Sequence, residues 1–221
     1  MHQYSIDKKN RETVLYILVI ISVALSLLLK TVLSSIFLQI AKMLNDTSWL
    51  TKPASFIQST ELIPNVIGVP AVYWALSTAF DKWIWKFRPV NILLGVPNLN
   101  GVWQGSLHSS YDDTDYKMEL TIEQTWTKIR CISNFKSSRS FSNVAAIYSE
   151  GIEGDVLYFG FHNQSNNVET GNQQYDGYNI LRLDGDRLTG KYFNDRASSK
   201  KASKGGNMGT IELKKTTTCK G

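Results

Sequence analysis

Apolar positions fall along this chain in two regimes. From Val14 to Leu29 (VLYILVIISVALSLLL) they run without a single charge, whereas beyond residue 100 they alternate with polar positions two residues apart. The first regime is that of a helix surrounded by lipid and the second that of half-buried strands. Twelve positions of the apolar run are Leu, Ile or Val. At about −0.3 to −0.6 kcal/mol each they contribute roughly −4 to −7 kcal/mol of insertion free energy. Lys30 opposes this by about 2.5 to 3.5 kcal/mol at a bilayer centre and by less if its amine reaches an interface. Insertion therefore wins, with Thr13 to Val32 spanning the bilayer and Thr31 to Leu44 at or beyond its far surface. A cleaved signal peptide is the competing reading, since Lys8, Lys9 and Arg11 precede the apolar core, but no A-x-A-like site follows Leu29.

A second uncharged stretch, Leu62 to Phe80, is interrupted by Pro64, Asn65, Gly68 and Pro70. Such residues are tolerated in membrane helices that pack on a neighbour, so it reads as a second span, against a buried helix of a soluble domain. At its far border Trp83 and Trp85 interleave with Lys82, Lys86 and Arg88, an aromatic and cationic belt. The connecting loop holds only Lys42 and Lys52. The positive-inside rule then places both termini in the cytoplasm.

After Pro89, Gly95 and Pro97, read as a linker over residues 90–100, period-two runs predict eight strands: Gly101 to Ser109, Tyr116 to Gln124, Lys128 to Phe135, Phe141 to Ser149, Val156 to Asn163, Gly177 to Asp184, Arg187 to Asn194 and Gly206 to Lys214. Asp184-Gly185-Asp186 is a tight hairpin in which Gly185 supplies the positive φ. Short connections imply antiparallel neighbours, hence a sandwich or a closed barrel. Closure abolishes exposed edges, which favours an all-β, eight-stranded antiparallel minimal barrel over residues 101–221, carried by a membrane anchor of two transmembrane helices within residues 1–89. Gly101-x-Trp103 is a pattern also found at the base of calycin-type barrels.

Charge follows the same division. Residues 1–89 hold 9 Lys and Arg against 5 Asp and Glu, and residues 90–221 hold 15 against 14. The excess is juxtamembrane, which argues against a duplex nucleic-acid footprint on the strand-rich part. Two cysteines, Cys131 and Cys219, are too few for a disulfide scaffold and are expected to be reduced.

His2, His108 and His162 lie far apart, with no Cys or second His at a metal-ligand spacing. His108 beside Ser109 and Ser110 has no nucleophile motif around it, and Gly205-Gly206 opens a strand, so neither hydrolysis nor phosphate-loop chemistry is indicated. No metal site, cofactor or enzymatic activity is expected. Aromatic residues do keep company with amides and cations at strand ends. Trp126, Lys128 and Arg130 join the second strand to the third; Tyr192, Asn194 and Arg196 share one face of the seventh and its extension; Asn163 closes the face of Phe159; and Tyr175 precedes the sixth. Such a set suits a flat anionic ligand, with rings stacking on bases, cations meeting phosphates and amides reading base edges. The basic loop from Asp195 to Asn207 could fold over a phosphate. Taken singly each residue also has a structural reading: Trp126 as a barrel plug, Tyr192 as core, Lys128 as solvated surface.

The residues Gly101-Val102-Trp103-Gln104-Gly105, Gln124-Thr125-Trp126-Thr127-Lys128-Ile129, Phe159-x-Phe161-x-Asn163 and Gly190-x-Tyr192-Phe193-Asn194-Asp195-Arg196 resemble the two-transmembrane, β-strand-rich effectors of bacterial cyclic-oligonucleotide-based antiphage signalling systems (CBASS). Asn163-Gln164-Ser165 and Tyr175-Asp176-Gly177 stand where the family tends to have Asn-Glu-Pro and His-x-Gly. The resemblance implies a barrel that binds a cyclic di- or trinucleotide messenger made by a partner nucleotidyltransferase. It implies further that the barrels form a homo-oligomer on activation and that the helices then disrupt the bacterial inner membrane and kill the infected cell. The alternative is a membrane-tethered lipocalin-like barrel for a lipid or other apolar ligand.

Overall fold

The computed structural model describes residues 1–6, 10–45, 68–110, 112–149, 151, 154–165, 174–195 and 207–216. The chain divides into two compact units, Asn10–Ile84 and Met1–Lys9 together with Trp85–Gly221.

The first unit is helical. Helix α1 runs from Asn10 to Asn45 without a break, well past the predicted span. Its stretch Arg11–Ile36 has a mean hydropathy of 2.4 and is the one described helix long and apolar enough to cross a membrane. Leu15, Tyr16, Ile20, Leu27 and Leu28 point outward, while Val14, Leu18, Ser22 and Ser26 recur every fourth residue as a buried stripe. Helix α2, Val69–Lys82, packs on α1. Serines in the stripe let the two backbones approach closely, and Ser22 Oγ donates to Leu18 O at 2.6 Å, so its hydroxyl is not left bare. Of the expected second span, Leu62–Ile67 lies outside the described residues. The remainder starts a helix at Gly68, its N-cap, with Pro70 in the first turn. A proline there costs no hydrogen bond, so it opens the helix and does not interrupt it. The 14 residues of α2 cover about 21 Å of a bilayer core of about 30 Å.

The second unit is a closed barrel. Strands β3 (Gly101–Ser109), β4 (Thr114–Gln124), β5 (Lys128–Asn134), β6 (Ser138–Tyr148), β7 (Val156–Ser165), β8 (Gln174–Asp184), β9 (Arg187–Asn194) and β10 (Met208–Lys215) pair in sequence, all antiparallel; β10 pairs with β3 and β5 with β6 to close the ring. Gly185 has φ 59° in the β8–β9 turn, as its position in the sequence requires. Two corrections concern what precedes the barrel. Residues 88–94 are a helix, α3 (Arg88–Leu94), ended by Gly95 at φ 60°, where a linker was expected. The first residues also belong to the barrel: β1 (His2–Gln3) pairs antiparallel with β5, and β2 (Ser5–Ile6) pairs parallel with β6.

Because neighbouring strands run in opposite senses, the interior has two distinct ends. The base, where β3 begins and β4 ends, is apolar and filled: Trp103, Leu120, Ile122, Ile129, Ile147, Leu157, Leu181 and Leu188 are all at most 2% exposed. Trp103 Nε1 donates to Leu99 O at 3.0 Å, and the Lys215 amine lies 5.0 Å from the indole centroid, closing the base as the Gly-x-Trp pattern suggested. Buried Gln124 ties this end together. Its Oε1 accepts from Leu99 N at 2.8 Å, and its Nε2 donates to Tyr4 Oη at 3.1 Å and Pro97 O at 3.2 Å.

Candidate functional site at the barrel mouth

The opposite end is polar inside. Ser133 on β5 pairs with Ser140 on β6, Ser140 with Asn163 on β7, and Asn163 with Tyr175 on β8, so four adjacent strands present one row across the inner wall. A second row starts deeper at Phe159 and runs through Asn179 and Tyr192 to Gly209 and Ser109 at the mouth ends of β10 and β3. Asn194 pairs with Gly177 between the two. Gly177 is there for space: a Cβ on it would come within 2.3 Å of Phe161 Cζ.

Asn163 is 1% exposed, and Ser140 Oγ donates to its Oδ1 at 2.8 Å. Its Nδ2 has no hydrogen-bond partner among the described residues. A buried donor left unpaired costs about 1 to 3 kcal/mol. The contrast with Gln124 is direct: the base amide is satisfied by the fold, and the mouth amide keeps one donor unpaired among the described residues.

Of the residues singled out from the sequence, Phe159, Asn163, Tyr175, Tyr192 and Asn194 come together on the inner face of β7, β8 and β9. Phe159 is fully buried and Tyr192 is 6% exposed, whereas Tyr175 and Asn194 are partly open. Trp126, Lys128 and Arg130 are not brought to them. Trp126 sits in the β4–β5 turn at the base, 5% exposed and 6.2 Å from the ring of Trp85. Trp85 is thus core of the barrel unit and not part of an interfacial belt; Trp83 is exposed, with the Lys82 amine 5.8 Å from its ring. Lys128 is exposed, and Arg130 is half exposed on the outer wall, its Nε donating to Glu123 Oε2 at 2.9 Å. Arg196 and most of the basic loop lie outside the described residues. Sequence reasoning missed Ser109, Ser133, Ser140 and Asn179. The signal was present for Ser133, since the alternation of Ile129 and Cys131 carries it to the inner face.

Cys131 lies on that inner face too, fully buried, and burial pushes its thiol up to about 12. The neutral thiol is therefore the native form at every pH below that value. In a Cys219→Ser background the folded protein should stay unreactive to an aromatic disulfide reagent from pH 7 to 9. It should react fully once unfolded; labelling of the folded chain within minutes would show the wall to be open.

Residues 94–215 match the family model for the Cap15 cyclic dinucleotide receptor domain. The chain belongs to the Cap15 receptor-domain family. The CD-NTase-associated protein 15 of Yersinia aleksiciae is 34% identical over 134 residues, which cover 59% of this chain and 64% of that protein. The Cap15 match begins at the end of α3 and takes in β3 to β10, the whole ring that carries both inner rows.

Proposed function

We propose that this Cap15-family chain is a membrane-anchored effector of CBASS antiphage defence whose barrel mouth binds a cyclic di- or trinucleotide made by a partner CD-NTase. The observation that carries the reading is the unpaired Asn163 Nδ2 within the row Ser133, Ser140, Asn163 and Tyr175. An inward donor meets a base-edge acceptor, Tyr175 and Tyr192 offer ring faces, and Asn194 a second amide. The cationic partner for phosphate would come from Arg196 and the basic loop that follows. The site performs recognition without bond-breaking chemistry. A lipocalin-like pocket is less well supported, because the apolar half of the interior is occupied by Leu120, Leu181 and Leu188, each 0% exposed.

The pairing of residues 2–6 with β5 and β6 supports the membrane part of the proposal. Those residues and the barrel lie on one side of any bilayer, so a chain that leaves through α1 must return before residue 85. That means an even number of crossings. Ligand binding would gather barrels into a homo-oligomer, and confinement to a plane makes a modest gain in self-affinity sufficient. The gathered helices would then breach the inner membrane.

The test is thermal unfolding of the full chain in detergent with a panel of cyclic di- and trinucleotides, paired with dye leakage from vesicles holding the protein. A ligand at 100 times its Kd adds about 2.7 kcal/mol, a rise in Tm on the order of 5 to 10 °C. Stabilisation by fatty acids and by no cyclic nucleotide would overturn the proposal. Lys128→Ala and Arg130→Ala, far from the mouth, should retain the full shift; its loss in both would move the site to the base.

A further inference from the structure

The strands β5 and β6 pair over three positions near the mouth, Ile132 with Phe141, Ser133 with Ser140 and Asn134 with Arg139. Below these the two strands part, and residues 2–6 fill the opening, with His2 and Gln3 on the edge of β5 and Ser5 and Ile6 on that of β6. The point of divergence is Ser142, which adjoins the irregularity in β6 pairing between Ser142 and Val144. Its Oγ accepts from Cys131 N at 2.9 Å and lies 2.8 Å from His2 Nε2. Tyr4, 3% exposed, inserts into the core and meets Gln124. The hold is short: each half of the segment pairs over two residues along one edge, whereas β6 and β7 pair from Ser138 to Tyr148. On its outer side Ser5 borders a shallow groove with Tyr148 and Tyr158.

We infer that residues 2–6 are a releasable latch through which the mouth controls α1, an inference that rests on the proposed function. The causal chain is contiguous. A ligand that takes the Asn163 amide acts on Ser140; Ser140 belongs to the three-residue contact that holds β5 to β6; Ser142, two residues along β6, holds both Cys131 and His2. Shifting β6 at this branch loosens the segment, whose last residue, Ile6, precedes the start of α1 at Asn10 by four positions. Release frees the segment that leads into α1 from the barrel wall and lets the helix repack in the bilayer.

Two measurements on the full chain decide it. Hydrogen exchange without ligand should show the amides of residues 2–6 opening at least tenfold faster than those of Leu181 and Leu188; exchange as slow as those core amides would overturn the latch. For the second, Ser5→Cys and Ala146→Cys, at paired positions, are oxidised to a disulfide in a Cys219→Ser background. The cross-linked chain should keep its Tm shift with whichever panel nucleotide stabilises the wild type, yet lose at least tenfold in vesicle leakage, restored by dithiothreitol. Equal leakage before and after reduction would overturn the proposal. A panel with no stabilising member would count against the mouth as receptor, and the exchange of the unliganded chain would still decide the latch.

Discussion

Replacing Ser140 with Ala and Asn163 with Leu together should abolish the cyclic-nucleotide shift in Tm while leaving the unliganded chain within about 1 kcal/mol of wild type. The two side chains serve each other, Ser140 Oγ donating to Asn163 Oδ1, and the Nδ2 serves nothing else described in the fold. Exchanging both members of a buried pair for apolar groups of similar shape is close to neutral or stabilising, because an unpaired donor disappears with them. What vanishes is the donor held ready for a ligand. A base-edge acceptor left facing an apolar side chain in a buried site costs about 1 to 3 kcal/mol, so Asn163→Leu alone should weaken binding about tenfold. Gln124→Leu is the counterpart. It strips three hydrogen bonds from the base, from Leu99 N and to Tyr4 and Pro97. It should cost several kcal/mol of stability and leave the affinity of the remaining folded protein unchanged. If the mouth variant instead lost stability and kept its shift, the row at Asn163 would be structural and the receptor site would lie elsewhere.

Trp103→Ala should be the most damaging single change to the barrel, by about 3 to 5 kcal/mol. The indole is 1% exposed, donates to Leu99 O and carries the Lys215 amine over its face. Truncation leaves a cavity ringed by the side chains of the base, strands Leu99 O, and frees the cation from its ring. Burial also lowers the Lys215 pKa, a sign that its ammonium is held against the base and not fully solvated. The expected fall in Tm is on the order of 10 to 20 °C, read by thermal unfolding of the full chain. A fall of only a few degrees would mean that the barrel is closed by pairing alone, without its plug.

Much of the barrel was legible before any coordinates. Strands β3 and β9 begin and end at the residues read from alternation, and Gly185 adopts its positive φ, because local pattern and turn chemistry act over a few residues and agree with each other there. The helix over Arg88–Leu94 was hidden by Pro89, read as a breaker, although a proline in the first turn of a helix removes no hydrogen bond. The pairing of residues 2–6 had no local signal at all. Two-residue strands carry no period, and what holds them is a gap between β5 and β6 that exists only once the ring has closed.

The site shows the same boundary. Alternation assigns a side chain to the inner or the outer wall, and so Phe159, Asn163, Tyr175, Tyr192 and Asn194 were found together. It does not say to which end of the barrel a residue comes. That depends on how far along its strand the residue lies and on the sense in which the strand runs, so the start of β5, with Trp126, Lys128 and Arg130 around it, falls at the base, opposite the end of β7. By itself the sequence determined a long apolar helix and eight antiparallel strands, since burial period and turn residues are properties of neighbouring positions. Only the tertiary structure decided which end is apolar and which holds an unpaired donor, because register and strand sense set these, and that the first six residues complete the wall, through contacts between positions more than a hundred residues apart.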